Sequence, residues 1–232
     1  MREGGSLTDE ERGEVHRWLR SPRGRYSVDR ASQLSGVPRS TIYDWNKNLI
    51  VVPDFSRTNP MQWSYRDLVF LRLTAWLRGQ GMPRLEVAER VVVLRSLLDT
   101  TDDDVTVVHS DGNVFMVAPA ELDRFTGAQV MSGMLKYVPE FDLAEAVKVE
   151  EIGAGRVWGP NLVHPSAHSS ISPWVMAGDP CVTRTRIPTS TVYALHRERG
   201  LDAERIAALY KGLESDQVDD AIGLEERLRK AA

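Results

Sequence analysis

The stretch that decides the fold is residues 26–50, YSVDRASQLSGVPRSTIYDWNKNLI. Ser27 is a natural N-cap, and Val28, Ala31 and Leu34 recur at helical spacing until Gly36. That pattern predicts a short helix ended by a glycine. Pro38 suits the first position of a second helix, whose inward face would be Ile42, Trp45 and Leu49. With that face turned in, Arg39, Ser40, Thr41 and Tyr43 fall near the helix start, where a recognition helix meets base edges and phosphates. Two short helices joined through Gly36-Val37 make a helix-turn-helix pattern. Any two-helix hairpin gives a similar apolar rhythm, so the flanks must decide.

Upstream, residues 8–20 (TDEERGEVHRWLR) read as a helix with acids in its first turn and Arg17 and Arg20 near its end. Downstream, Ile50-Val51-Val52-Pro53 and Met61-Gln62-Trp63 are strand-like runs around DFSRTN. Together they predict a β wing carrying Arg57 and Asn59. Ser64 to Asp67 is a capping pattern opening a helix to about residue 78. After a Gly79–Pro83 break, a second long helix runs to about residue 98. Its stripe Val87, Val91, Leu94 and Leu98 suits either the core or a helix–helix dimer seam.

The charge supports a nucleic-acid reading of this region. The 232 residues carry a net charge of −4, yet residues 15–100 hold 14 basic and 7 acidic side chains, and residues 101–160 hold 4 and 11. A polyanion would meet the first of these blocks. Hydrophobic residues at 42% and charged residues at 27% exclude a disordered or collagenous chain. One cysteine, Cys181, excludes an internal disulfide and suits a reducing cytosol. The richest apolar stretch, residues 68–77, is broken by Arg72 and falls short of the roughly 20 residues of a membrane span. With no secretory signal in view, the expected location is cytoplasmic.

Residues 26–98 resemble a MerR-like winged helix-turn-helix. The resemblance is carried by Tyr26-Ser27-Val28, Ala31, Leu34-Ser35-Gly36-Val37, Thr41-Ile42, Trp45, Tyr65, Asp67-Leu68 and the Gly81-Met82-Pro83 break. It implies that residues 38–46 enter a major groove while the wing touches the backbone. The DNA-contacting set is then Arg39, Ser40, Thr41, Tyr43, Lys47, Arg57 and Asn59. In place of that family's Arg-Tyr pair this sequence has Asp44-Trp45, so Lys47, Arg57 and the run Arg20, Arg23, Arg25 are the available substitutes for a phosphate contact.

The middle of the chain, residues 101–160, reads as a connector. Val105 to His109 and Val114 to Val117 flank Asp111-Gly112, a hairpin signal. Short helical pieces are expected at 119–125 and 127–136. Asp102, Asp103, Asp104 and Asp111 lack the order of a calcium loop and read as a solvated loop. Residues 151–173, rich in glycine, proline and serine, read as a linker. His164 and His168 raise a metal site, but Pro165 opposes the helix that would align them, and no metal or cofactor is expected.

The last sixty residues divide into a short strand over 181–187 and three capped helices starting near Thr189, Asp202 and Ser215. His164-Pro165, Gly178, Pro180, Val182, Thr185-Arg186-Ile187-Pro188, Gly200, Ile206, Tyr210 and Val218 resemble the GTRIP pattern of small three-helix domains. Those domains are antitoxins or uncharacterised partners of PIN-type ribonuclease toxins. Arg184 stands where the pattern has glycine, so a left-handed backbone is not expected there. Asp216, Asp219 and Asp220 at the front of the third helix would repel phosphates, which leaves this unit to protein contact.

The expected fold is mainly α with minor β: a winged helix-turn-helix over 1–100, a β-hairpin connector over 101–160, and a three-helix unit over 161–232. No arrangement for nucleophilic or phosphate-loop catalysis is visible, so an enzyme is not expected. The expected function is a VapB-type antitoxin of a VapBC pair. It would be a homodimer that binds operator DNA, represses its own operon, and neutralises a PIN-type ribonuclease toxin. Arg227, Arg229 and Lys230, then Arg184 and Arg186, are the toxin-contact candidates. The alternative is a MerR-like transcriptional regulator without a toxin.

Overall fold

The computed structural model describes residues 8–79, 81–100, 106–110, 113–117, 138–139, 151–152 and 157–231. Helix α1 (Asp9–Leu19) opens on a capping box in which the Thr8 hydroxyl accepts the Glu11 N–H at 3.2 Å and the Glu11 carboxylate accepts the Thr8 N–H at 2.8 Å. Helix α2 (Val28–Ser35) starts on Ser27, whose hydroxyl accepts the Arg30 N–H, and stops at Gly36 with φ 74°. Helix α3 (Arg39–Lys47) follows at once, with Pro38 before it. Its inward face is Ile42 and Trp45, but Leu49 lies past the helix end, exposed and at φ 59°. The Ile50 N–H reaches back to the Trp45 carbonyl at 2.9 Å and Ile50 takes the buried place. The helix closes two residues sooner than the apolar spacing implied, and the reversed chain presents Ile50 to the core.

The expected wing strands are reduced to isolated bridges, Ser56 with Gln62 and Tyr26 with Trp63. Pro53 and Pro60 bring no N–H to a ladder, so a longer pairing is not sustained. Helix α4 (Tyr65–Gly79) is capped as expected: the Ser64 hydroxyl accepts the Asp67 N–H at 3.1 Å and Asp67 accepts the Ser64 N–H at 2.7 Å. It runs through the middle of the core and packs on α1, α2 and α5 (Arg84–Thr100). Val87, Val91, Leu94 and Leu98 are all buried in this chain's own core, so the stripe is a core face rather than a seam.

Strands β1 (Thr106–Ser110) and β2 (Asn113–Val117) form the expected antiparallel hairpin, with Ser110 opposite Asn113, and β3 (Val138–Pro139) pairs with β2. The helical pieces expected at 119–125 and 127–136, and the acids Asp102, Asp103, Asp104 and Asp111, lie outside the described residues. A small ladder joins β4 (Glu151–Ile152) to β5 (Val157–Trp158).

Residues 159–173 do not behave as a linker. Leu162, Val163 and Ile171 are buried in the same cluster as Trp18, Leu34 and Leu68. The Tyr65 hydroxyl donates to the Leu162 carbonyl at 3.2 Å, and the wholly buried Arg72 donates from Nη2 to both the Leu34 and Pro160 carbonyls. Apolar side chains set among the prolines and serines override the composition. Beyond them β6 (Ser169–Ser170) pairs with β7 (Cys181–Val182), followed by α6 (Thr189–Arg199), α7 (Ala203–Leu209) and α8 (Ser215–Ala231). Val182, Val192, Ile206, Leu213, Val218 and Ala221 form a second small core. Leu224 and Leu228 of α8 instead enter the first. The fold is mainly α with minor β.

Candidate nucleic-acid interface and partner surface

Because Ile42, Trp45 and Asn46 face inward, α3 presents Arg39, Ser40, Tyr43 and Lys47 to solvent, with Thr41 half-buried. The Arg39 guanidinium is held by Asp29 of α2, Nε to Oδ1 at 2.7 Å, both groups more than half exposed. Asp44 is occupied by the Asn48 side-chain amide at 2.8 Å and by Arg84 at 3.4 Å. Asn46, which the sequence did not single out, ties the wing to the helix: its amide donates to the Arg57 carbonyl at 3.2 Å and its oxygen accepts Arg57 Nε at 3.3 Å. Helix α3 and Arg57 are thus one unit. Asn59 is exposed in the wing, beside a cis bond to Pro60.

Behind the wing, Arg66 and Arg95 share Asp54, and Arg95 also reaches Asp67 at 2.7 Å. Burial, with the Asp54 charge beside it, pushes Asp67 up to about 6, partly offset by Arg95 and by the Asp54 and Ser64 N–H groups. Asp54 itself is held below the usual carboxylate range by Arg66, Arg95 and the Ser64 hydroxyl, which outweigh its own burial. This cluster fixes the base of the wing to α4 and α5.

A second cluster fixes α2 to the C-terminal unit, and it too was not read from the sequence. Arg30 Nε donates to Asp179 at 2.7 Å, and its terminal nitrogens donate to both oxygens of the fully buried Glu225 at 2.7 and 3.1 Å. Glu225 also accepts the Thr189 hydroxyl at 2.6 Å, and Asp179 accepts the Ser190 hydroxyl at 2.8 Å. Alongside, the Tyr26 hydroxyl donates to the Gly178 carbonyl at 2.8 Å and the Arg25 N–H to the Ala177 carbonyl at 2.7 Å. Gly178 sits at φ 87°, and a Cβ there would meet the Tyr26 hydroxyl at 2.1 Å.

The five C-terminal cationic candidates fare differently. Arg184 is exposed and adopts φ 63°, against expectation. The chain does not continue as a strand to Ile187 but turns after Val182, whose carbonyl accepts the Thr185 N–H at 3.0 Å. The turn needs a left-handed residue, whichever side chain fills the position. Arg186 is exposed and forms no ion pair among the described residues. Arg229 lies 4.5 Å over the Tyr193 ring and 4.0 Å from Glu225, while Arg227 and Lys230 point to solvent.

His164 pairs with Glu11 at 2.7 Å and His168 lies 3.8 Å from Asp216, so the two rings serve different partners. No group of three or more His, Cys, Asp or Glu side chains arranged to hold a metal occurs among the described residues. Burial pushes the Cys181 thiol up to about 11, which keeps it protonated at neutral pH. No described helix is long and apolar enough to cross a membrane.

Residues 170–223 match the model of DUF433, a family described as a protein of unknown function. That segment spans β7, α6, α7 and the first half of α8, the three-helix unit described above. No curated protein and no solved structure matches the chain.

Proposed function

We propose that the chain is an antitoxin that binds its operator through the N-terminal winged helix-turn-helix and neutralises a PIN-type, VapC-like ribonuclease through its C-terminal unit. The observation that carries the DNA half is the outward face of α3, where Arg39, Ser40, Tyr43 and Lys47 stand free of the core beside a wing bonded to the same helix. The toxin half is supported by the Thr185-Arg186-Ile187-Pro188 motif, which resembles that of antitoxin domains and leaves Arg186 exposed. Among the tail cations, Arg227 and Lys230 are better placed than Arg229, which is spent on Tyr193 and Glu225. The active protein is a homodimer in this reading, and Leu85 and Val92 give α5 an exposed apolar edge for pairing.

The test is co-expression with a PIN-type, VapC-like nuclease, followed by co-purification and an RNase assay. Truncating the tail would remove Leu228 from the core, so the informative variants are Arg186→Ala and the pair Arg227→Ala, Lys230→Ala. Capture of the nuclease that these variants weaken supports the assignment, and inhibition unchanged by all of them removes it.

A second reading, a MerR-like regulator without a toxin, is favoured by a cleft of about 550 Å³ between α1 and residues 163–174. Glu11, Trp18, His164 and Trp174 are among its lining residues. A chain that purifies alone beside the nuclease and still binds DNA supports this second reading.

A further inference from the structure

The arginines of residues 15–100 divide by how their charge is used. Several are paired with carboxylates: Arg30 with Asp179 and Glu225, and Arg66 and Arg95 with Asp54, inside the fold, and Arg39 with Asp29 at the surface. Arg23 and Arg25 pair with no carboxylate among the described residues, and both are exposed. Each lies instead over an aromatic ring. Arg23 Cζ sits 4.0 Å from the Trp174 centroid, and Arg25 Cζ sits 4.5 Å from the Phe55 centroid. Arg25 also donates to the Gln62 side chain at 2.8 Å.

The placement joins two parts of the molecule. Phe55 and Gln62 belong to the wing, whereas Trp174 belongs to the C-terminal unit and is 57% exposed. Between the two arginines, Gly24 is buried at φ 73° against the Tyr26 ring, and the Arg25 N–H holds the Ala177 carbonyl. Two exposed cations therefore stand two residues apart, Arg25 against the wing and Arg23 against the C-terminal loop.

A guanidinium that stacks by its face keeps its N–H edge for an oxygen, and a side chain already ordered by stacking loses less freedom on binding. Cations backed by aromatic rings and left without carboxylates suit an anion, and phosphate contacts position a protein without reading sequence. We propose that Arg23 and Arg25, backed by Trp174 and Phe55, form a second phosphate-binding ridge that grips the backbone of duplex DNA next to the wing. The C-terminal unit thereby contributes Trp174 to DNA binding. This rests on the duplex-binding reading of α3 and the wing. Continuity with the wing, through Phe55 and Gln62, favours a duplex backbone over an acidic peptide.

The experiment is fluorescence anisotropy of the full chain on a random-sequence duplex of about 20 base pairs, and on the matching single strand, across a salt series. The double variant Arg23→Gln, Arg25→Gln should lower the salt slope by about two and weaken duplex binding roughly tenfold or more at low salt. The Arg23→Lys, Arg25→Lys double should keep the slope. Trp174→Ala should weaken binding roughly two- to fivefold, as loss of an exposed cation–π contact does, and Trp174→Phe should recover it. Melting curves for each variant separate lost contacts from lost fold. The ridge is overturned if the glutamine double, on a duplex that the wild type binds, keeps the wild-type slope. It is equally overturned if that double loses only single-strand binding, or only capture of a co-expressed nuclease. A wild type indifferent to duplex DNA before any substitution would remove the reading of α3 itself, and the ridge with it.

Discussion

Arg30 and Glu225 are 195 residues apart in sequence and meet in a two-pronged contact, at 2.7 and 3.1 Å, with the carboxylate wholly buried. One partner sits on α2, the other on α8, the last described helix. Arg30→Met leaves that buried carboxylate only the Thr189 hydroxyl and the more distant Arg229, which costs about 3 kcal/mol. Adding Glu225→Leu should return a large part of the loss. Urea unfolding of the two singles and the double measures the coupling, and strictly additive effects would sink the assignment.

Gly178 is the close-approach point of the same junction. Alanine there meets the Tyr26 hydroxyl and must also hold φ 87°. Gly178→Ala should therefore destabilise the whole chain by about 2 kcal/mol or more, in one transition rather than two. Tyr26→Phe, which removes the hydroxyl to Gly178, should relieve part of the clash in the double variant.

Two exposed residues carry a left-handed backbone that glycine adopts freely: Leu49 at the end of α3 and Arg184 in the turn before the Thr-Arg-Ile-Pro motif. Leu49→Gly and Arg184→Gly should each raise the melting midpoint, by about 0.5–1 kcal/mol of stability. A fall in stability for Arg184→Gly would mean that its side chain makes a contact of its own.

Asp67 sets a pH dependence. Its folded value, about 6, lies above the unfolded 3.8, so between those values the folded chain keeps a proton that the unfolded chain has lost. Its contribution is full below about pH 4 and falls as pH rises to about 6, by roughly 3 kcal/mol at most. Asp67→Asn should flatten stability across that window relative to wild type. Parallel pH curves for the two proteins would contradict the shift.

For duplex binding, Arg39→Ala and Arg57→Ala should each weaken affinity and flatten the salt slope by about one ion. Arg57→Ala should do more, because it also loses the Asn46 contact that fixes the wing to α3. Gel shifts unchanged by both substitutions would clear these residues of groove and phosphate contact.

The local elements were written in short-range patterns. Ser27, Gly36, Ser64 and Asp202 mark helix ends through hydrogen bonds or backbone preferences a few residues long, and the apolar spacing on either side names the buried faces. Much of α3's outward set was readable for the same reason. Where such a pattern misled, at Leu49 and at residues 184–187, the backbone changed direction and the spacing no longer applied.

The sequence by itself determined the described helices and most of their caps, the pairing of β1 with β2 and the cationic front of the chain. Only tertiary structure decided that residues 159–173 enter the front core and that Glu225 is buried against Arg30. It also decided that Arg39 meets Asp29 at the surface while Arg23 and Arg25 lie over aromatic rings. The physical reason is range. Caps and helical faces depend on neighbours within a turn, whereas the use of a charge depends on which distant group the packed chain brings within about 3 Å.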